Sequence, residues 1–223
     1  MDKMELAAMI DHTLLKPQAT EGDIVALCRE AKQYGFGAVC INPGFVKIAH
    51  MLLTGTNVKV CTVIGFPLGA NTPEVKACEA RDAMRNGAVE LDMVLNIGAL
   101  RQGNYELVKC DIEGVVKEAA QVPGTLVKVI IETCLLNEAE KIKACQLVVE
   151  SGADFVKTST GFASGGATSD DIRLMRRTVG ATIGVKASGG IKSTSDALAM
   201  LEAGANRLGA SAGIAILEGL RQS

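Results

Sequence analysis

The sequence predicts an α/β protein, a (β/α)8 TIM barrel of eight parallel strands. Three observations point to it. Short β-rich apolar runs alternate with amphipathic helical stretches along the chain. A helix–Gly-Ala–strand junction recurs at Asn86-Gly87-Ala88-Val89, Ser151-Gly152-Ala153-Asp154 and Ala203-Gly204-Ala205-Asn206, with a looser copy at Tyr34-Gly35-Phe36-Gly37-Ala38. The composition is 48% hydrophobic but only 3% aromatic, with no Trp, so the core is aliphatic and suits a parallel sheet covered on both faces.

The elements follow in order. MDKMELAAM reads as a short amphipathic helix that feeds a first strand, Ile10–Leu15; its acids argue against a signal peptide. Thr20 is a plausible N-cap for a helix over Glu21–Tyr34, whose apolar face carries Ile24, Leu27, Cys28 and Ala31. Strands follow at Ala38–Asn42 and Lys59–Gly65, then a helix over Thr72–Asn86, with Thr72 as its cap. The fourth and fifth strands are Val89–Asn96 and Val127–Thr133, and Asn137 caps a helix over Glu138–Ser151. The last three strands are Asp154–Thr160, Gly184–Ser188 and Arg207–Ser211, with a helix over Ser193–Ala203, capped by Ser193, before the eighth.

At each junction a Gly just beyond the helix can take the left-handed conformation that stops it. A doubly wound open sheet would want a Gly-rich turn after the first strand. Here that turn is Leu15-Lys16-Pro17-Gln18-Ala19-Thr20. No linker or low-complexity stretch interrupts the pattern, so residues 1–223 are expected to form one domain.

Composition excludes several functions. The formal net charge is -2, with no Lys/Arg run and few stacking aromatics, which argues against nucleic acid as a partner. No long uncharged apolar segment is present to span a membrane. The seven Cys are odd in number and form no C-x-x-C, so reduced, buried packing thiols in a cytoplasmic protein are expected. Two His, His12 and His50, are too few for a His-rich zinc site or a readily built Ser-His-Asp triad.

Strand alternation locates the chemistry. Side chains on a barrel strand point alternately to the interior and to the helices. With Leu91, Met93, Val129, Ile131, Val156, Val185 and Ala187 facing helices, the interior receives Glu90, Asp92, Lys128, Glu132, Lys157 and Lys186. A structural ion-pair network explains any single pair. It is a poor reason for six charges on four strands, because apolar replacement of buried pairs is often neutral or stabilising. Lys157 and Lys186 both sit near strand C-termini, the face where barrel active sites assemble. A lysine is a nucleophile only when neutral, and desolvation together with a neighbouring ammonium favours that form. Such an amine attacks a carbonyl to form a Schiff base, and the iminium serves as the electron sink of an aldol or retro-aldol step.

Ser188-Gly189-Gly190-Ile191 leaves the seventh strand, and Leu208-Gly209-Ala210-Ser211-Ala212-Gly213 leaves the eighth. Barrels often bind phosphate in these two loops, where Gly allows close backbone approach and N–H groups hold the anion.

These residues, with Asp11-His12-Thr13, Cys40-Ile41-Asn42-Pro43, Val63-Ile64-Gly65-Phe66-Pro67, Glu90-Leu91-Asp92-Met93-Val94, Lys128-Val129-Ile130-Ile131-Glu132, Val156-Lys157-Thr158-Ser159-Thr160-Gly161-Phe162 and Val185-Lys186-Ala187-Ser188-Gly189-Gly190, form an ordered set. Over nearly the whole chain the sequence resembles the deoxyribose-phosphate aldolases, a family of class I aldolases. The resemblance implies reversible cleavage of 2-deoxy-D-ribose 5-phosphate to D-glyceraldehyde 3-phosphate and acetaldehyde, without metal or cofactor. It places the Schiff base on Lys157, the second lysine at Lys186 and the acid/base carboxylate at Asp92. It assigns Thr160, Gly161, Ser188, Gly189, Gly190, Gly209 and Ser211 to the substrate phosphate, and Lys128, Glu132, Asp11 and Thr13 to a supporting polar network. It also implies a cytoplasmic homo-oligomer, dimer or tetramer.

The sequence departs from some relatives at three points. Phe162 stands where they carry Lys, which shifts phosphate affinity toward backbone N–H groups. Asn42 stands where they carry Tyr. They end in a Tyr that reaches the active site, whereas this sequence ends Leu220-Arg221-Gln222-Ser223 and its Tyr are Tyr34 and Tyr105. Two other readings are an aldolase of the same fold acting on another sugar phosphate, and a barrel that only senses one. The two opposed lysines count against the sensor.

Overall fold

The computed structural model describes residues 1–220. The C-terminal departure expected at 221–223 lies outside the described residues. Eight parallel strands close into a barrel in sequence order: β1 (Ile10–Leu14), β2 (Ala38–Ile41), β3 (Lys59–Ile64), β4 (Glu90–Val94), β5 (Leu126–Ile130), β6 (Phe155–Lys157), β7 (Gly184–Ser188) and β8 (Arg207–Ala210). β8 returns to β1 with Leu208 beside Ile10 and Gly209 beside Asp11. The helices are α1 (Lys3–Ala8), α2 (Glu21–Tyr34), α3 (Val46–Leu53), α4 (Pro73–Arg85), α5 (Ile97–Arg101), α6 (Tyr105–Ala119), α7 (Glu138–Glu150), α8 (Ser169–Val179), α9 (Thr194–Glu202) and α10 (Gly213–Glu218).

Local chemistry explains where these helices start and stop. Thr20, Thr72, Asn137 and Ser193 each accept a hydrogen bond from the backbone N–H three residues on, as expected. Thr20, Asn137 and Ser193 complete reciprocal capping boxes with Asp23, Glu140 and Asp196. A cap of this kind contributes about 1 kcal/mol. At the junctions Gly87, Gly152 and Gly204 all adopt positive φ, and each chain then enters a strand within a few residues.

The outward-facing strand residues Leu91, Met93, Val129, Val156 and Val185 are fully buried between barrel and helices. Burying each such side chain stabilises the fold by about 1.5–3 kcal/mol. Inside the barrel a smaller apolar cluster, Leu15, Ala38, Cys40, Cys61 and Val63, occupies the β1–β3 side. The rest of the interior mixes buried apolar residues such as Val94 and Ile130 with a cluster of charged side chains.

Three expectations need correction. β5 ends at Ile130, and Glu132 takes left-handed backbone, φ 53°, which breaks the strand alternation although the Ile131 and Thr133 N–H groups still donate to the Lys157 and Thr158 carbonyls. β6 spans only Phe155–Lys157; beyond it, Thr160 bends toward Glu132 and donates its N–H and hydroxyl hydrogen bonds to that carboxylate. The cysteines are not uniformly packing groups: Cys28, Cys40, Cys61 and Cys145 are buried, but Cys78, Cys110 and Cys134 are exposed, and all seven are free thiols. Among the described residues no helix is long and apolar enough to cross a membrane.

Candidate active site

Parallel register sets the site. Asp92 on β4 lies beside Lys128 on β5, and Lys157 on β6 lies beside Lys186 on β7. All four side chains point inward, as strand alternation predicts, and converge on one carboxylate. Asp92 Oδ2 accepts from Lys157 Nζ at 2.7 Å and from Lys186 Nζ at 2.6 Å. Its Oδ1 accepts from Lys128 Nζ at 2.8 Å and lies 3.1 Å from the Cys61 thiol.

A second tier lies deeper in the barrel. Lys186 also donates to Asp11. Lys128 also pairs with Glu90 at 2.6 Å. Arg207 Nε donates to Asp11 at 2.5 Å, and its Nη2 donates to both Glu90 oxygens at 2.9 and 3.0 Å. Three carboxylates, Asp11, Glu90 and Asp92, thus face four cations, Lys128, Lys157, Lys186 and Arg207. Among the described residues, Lys186, Lys128 and Arg207 each hold at least two carboxylates, whereas Lys157 holds only Asp92, through an oxygen it shares with Lys186.

Burial and pairing oppose each other here, and pairing wins. Burial alone would raise the pKa of Asp92, but the Lys128, Lys157 and Lys186 ammonium groups hold it well below the usual carboxylate range. Asp11 is likewise lowered against burial by Lys186, Lys128 and Arg207. Burial would lower Lys186, yet Asp11 and Asp92 raise it above the ordinary lysine value. Lys128 is raised against burial by Asp92, Cys61 and Glu90. Lys186 is therefore a fixed cation set against Lys157.

Lys157 is the one member of this cluster that lines the cavity at the C-terminal mouth, a space of about 290 Å³. Around it stand Thr13, Thr160, Gly161, Ser188, Gly189, Gly190, Gly209 and Ser211, all singled out in the sequence. Gly189 and Gly190 are consecutive positive-φ residues, φ 84° and 82°, a conformation that side chains resist. Ser188 is braced from below: its Oγ donates to the Ser159 carbonyl, and its N–H donates to Thr158 Oγ1.

Two supporting residues play parts other than those expected. Glu132 does not join the ion cluster. Its carboxylate accepts from the Thr160 N–H at 3.2 Å and from its hydroxyl at 2.5 Å, which braces the turn before Gly161. Thr13 donates to the Asp11 carbonyl rather than to a carboxylate. Phe162 packs edge-on against Phe66 with ring centroids 5.3 Å apart and forms one wall of the cavity. Arg207, Cys61, Lys16 and Lys192 were not marked by sequence pattern, yet the first two complete the buried cluster and the last two bring ammonium-bearing side chains to the cavity. Tyr34 and Tyr105 both lie on helices, Tyr34 stacked on Phe36 and Tyr105 beneath Lys143.

The model of the DeoC/LacD family aldolases matches residues 6–219. The chain belongs to the DeoC/LacD aldolase family. Among curated relatives, the deoxyribose-phosphate aldolase of Thermoanaerobacter sp. (strain X514) is 61% identical over 215 residues, covering 96% of each chain. That of Geobacillus sp. (strain WCH70) is 62% identical over 214 residues, covering 96% of this chain and 95% of its own. Among solved structures, the deoxyribose phosphate aldolase of Aeropyrum pernix, described as having a unique tetrameric structure, superposes with a TM-score of 0.91 at 38% identity. It covers 97% of this chain and 91% of its own. The barrel and the aldolase family read from the sequence are thereby both established.

Proposed function

We propose that this DeoC/LacD family aldolase reversibly cleaves 2-deoxy-D-ribose 5-phosphate to D-glyceraldehyde 3-phosphate and acetaldehyde, through a Schiff base on Lys157. The observation that carries this reading is the position of Lys157: its amine bonds the oxygen shared with the fixed Lys186 cation, and it alone of the buried cluster reaches the cavity. The activity of relatives more than 60% identical supports the substrate.

The steps follow from the geometry. Neutral Lys157 Nζ adds to the C1 aldehyde, and the nitrogen's proton passes to the carbinolamine oxygen through Asp92 and Lys186. A further proton, delivered from Lys186, lets the hydroxyl leave as water and gives an iminium whose positive nitrogen stays beside Asp92 Oδ2. Removal of the C3 hydroxyl proton then breaks C2–C3. The electron pair moves into the enamine, and glyceraldehyde 3-phosphate departs. Protonation at C2 regenerates an iminium, and water hydrolyses it to acetaldehyde and free Lys157. Asp92, held as an anion by its ammonium neighbours, stabilises each cationic nitrogen along the way. The phosphate rests on the N–H groups of the Gly189-Gly190 turn, with Gly161, Thr160, Ser188, Gly209 and Ser211 around it and Lys16 and Lys192 at the rim. Phe162 contributes a wall rather than a charge.

All of these groups belong to one barrel, which we take as a single catalytic domain. We take the working form to be a cytoplasmic homo-oligomer, in line with the tetramer described for the Aeropyrum pernix relative.

The test is product formation. Incubation with 2-deoxy-D-ribose 5-phosphate should release acetaldehyde, detected with alcohol dehydrogenase and NADH, and Lys157→Leu should abolish the release while the far-ultraviolet spectrum is kept. Absence of acetaldehyde from the parent protein would exclude the reading.

A further inference from the structure

Lys76 on α4 is fully buried, yet it lies outside the ion cluster, on the helix side of the barrel. Its Nζ donates to the Val94 carbonyl at 2.8 Å and to Asp111 Oδ2 on α6 at 2.5 Å. One turn along the same helix, Glu79 Oε2 accepts from the Gly65 N–H at 2.6 Å, and its Oε1 accepts from Asn71 Nδ2 at 3.0 Å. Val94 is the last residue of β4, and Gly65 directly follows β3.

The β3–β4 register ends at the pair Ile64–Met93. Beyond that rung the Gly65 N–H and the Val94 C=O both go to side chains of α4. The Lys76 stem fills the space over Gly65; a Cβ there would lie 2.7 Å from Lys76 Cε. Asp92 is two residues before Val94 on the same strand and the same face.

We infer that Lys76 and Glu79 are positioning residues, which end the β3–β4 ladder with side-chain hydrogen bonds and so fix the end of β4 that carries Asp92. Stability gives no reason for the buried pair. Burial outweighs pairing at both groups, lowering the pKa of Lys76 and raising that of Asp111, and an apolar pair of like volume commonly folds as well or better. Placement of Asp92 does give a reason, because a displacement of about 1 Å at a catalytic group costs about a hundredfold in rate.

The inference rests on the aldolase reading, and the two fail separately: a parent protein that neither cleaves the substrate nor traps acetaldehyde sinks the reading, not the clamp. In an active parent, the double variant Lys76→Met/Asp111→Leu removes both charges without stranding either. It should keep the parent melting temperature and a KM within about twofold, but lose at least about tenfold in kcat, with cyanoborohydride trapping of acetaldehyde at Lys157 slowed in proportion. A folded double variant with parent kcat and trapping rate overturns the clamp. Should the double variant not fold, Glu79→Ala and Glu79→Gln decide the matter. Gln keeps an acceptor for Gly65 and should hold kcat within about twofold, while Ala should lose at least about fivefold at unchanged KM. Equal kcat in the two also overturns it.

Discussion

Lys157 and Lys186 donate to the same atom, Asp92 Oδ2, at 2.7 and 2.6 Å, across the β6–β7 register that sets them side by side. Their equivalence ends there. Lys186 has a second carboxylate, Asp11, and no place on the cavity wall. Among the described residues Lys157 has no second carboxylate, and it lines the cavity. One lysine is locked between two carboxylates, and the other is the one proposed as the nucleophile.

Lys186→Leu tests the fixed charge. It leaves Asp11 and Asp92 each short of a partner, and breaking a buried pair in this way costs about 3–5 kcal/mol. The melting temperature should fall. Turnover should drop by at least about a hundredfold, the usual range for losing a general acid/base partner. Unchanged kcat in a folded variant would show that the shared oxygen has no role in proton transfer.

Lys16 and Lys192 line the cavity from the loops after β1 and β7. Lys16→Ala and Lys192→Ala should each raise KM for the phosphorylated substrate about fivefold, as loss of a charge-assisted contact near solvent predicts. KM for unphosphorylated 2-deoxyribose should stay the same, and the difference should shrink at high ionic strength. Equal effects on both substrates would place these lysines away from the phosphate.

Stability should depend on pH at both ends. Asp11 and Asp92 are held below their ordinary value of 3.8, so the unfolded chain binds more protons there. Their stabilisation is complete above that value and is lost as pH falls beneath it. Lys128 and Lys186 are held above 10.5, so their contribution is complete below that value and is lost as pH rises past it. Urea midpoints should be flat from about pH 5 to about pH 9 and fall on either side. A midpoint that rises as pH drops from 4 to 3 would contradict the paired cluster.

Thiol reactivity should divide by burial. Cys78, Cys110 and Cys134 are exposed, whereas burial pushes Cys28 up to about 11 and Cys145 up to about 12. Ellman's reagent should titrate three thiols quickly in the native protein and all seven in denaturant. Fast reaction of Cys40 or Cys61 would mean the barrel interior opens.

Strand periodicity exposed most of the buried cluster, because a period of two puts Glu90 with Asp92 and aims Lys128, Lys157 and Lys186 at the same interior. It could not show Arg207, whose partners Asp11 and Glu90 lie on the first and fourth strands; only closure of β8 onto β1 brings them together. It misplaced Glu132, since alternation stops where the backbone turns left-handed. Lys16 and Lys192 lie in loops, which carry no period. Lys76 was hidden because a lysine on an amphipathic helix is ordinarily read as solvent-facing, and its partners, the Val94 carbonyl and Asp111, come from other elements.

Chemical trapping reports on the Lys157 nitrogen itself. Treat the protein with acetaldehyde and sodium borohydride, digest it, and map the modification by mass spectrometry. The account predicts an N-ethyl group on Lys157, with turnover lost in step with its formation. An adduct confined to surface lysines, or none while turnover persists, would contradict it.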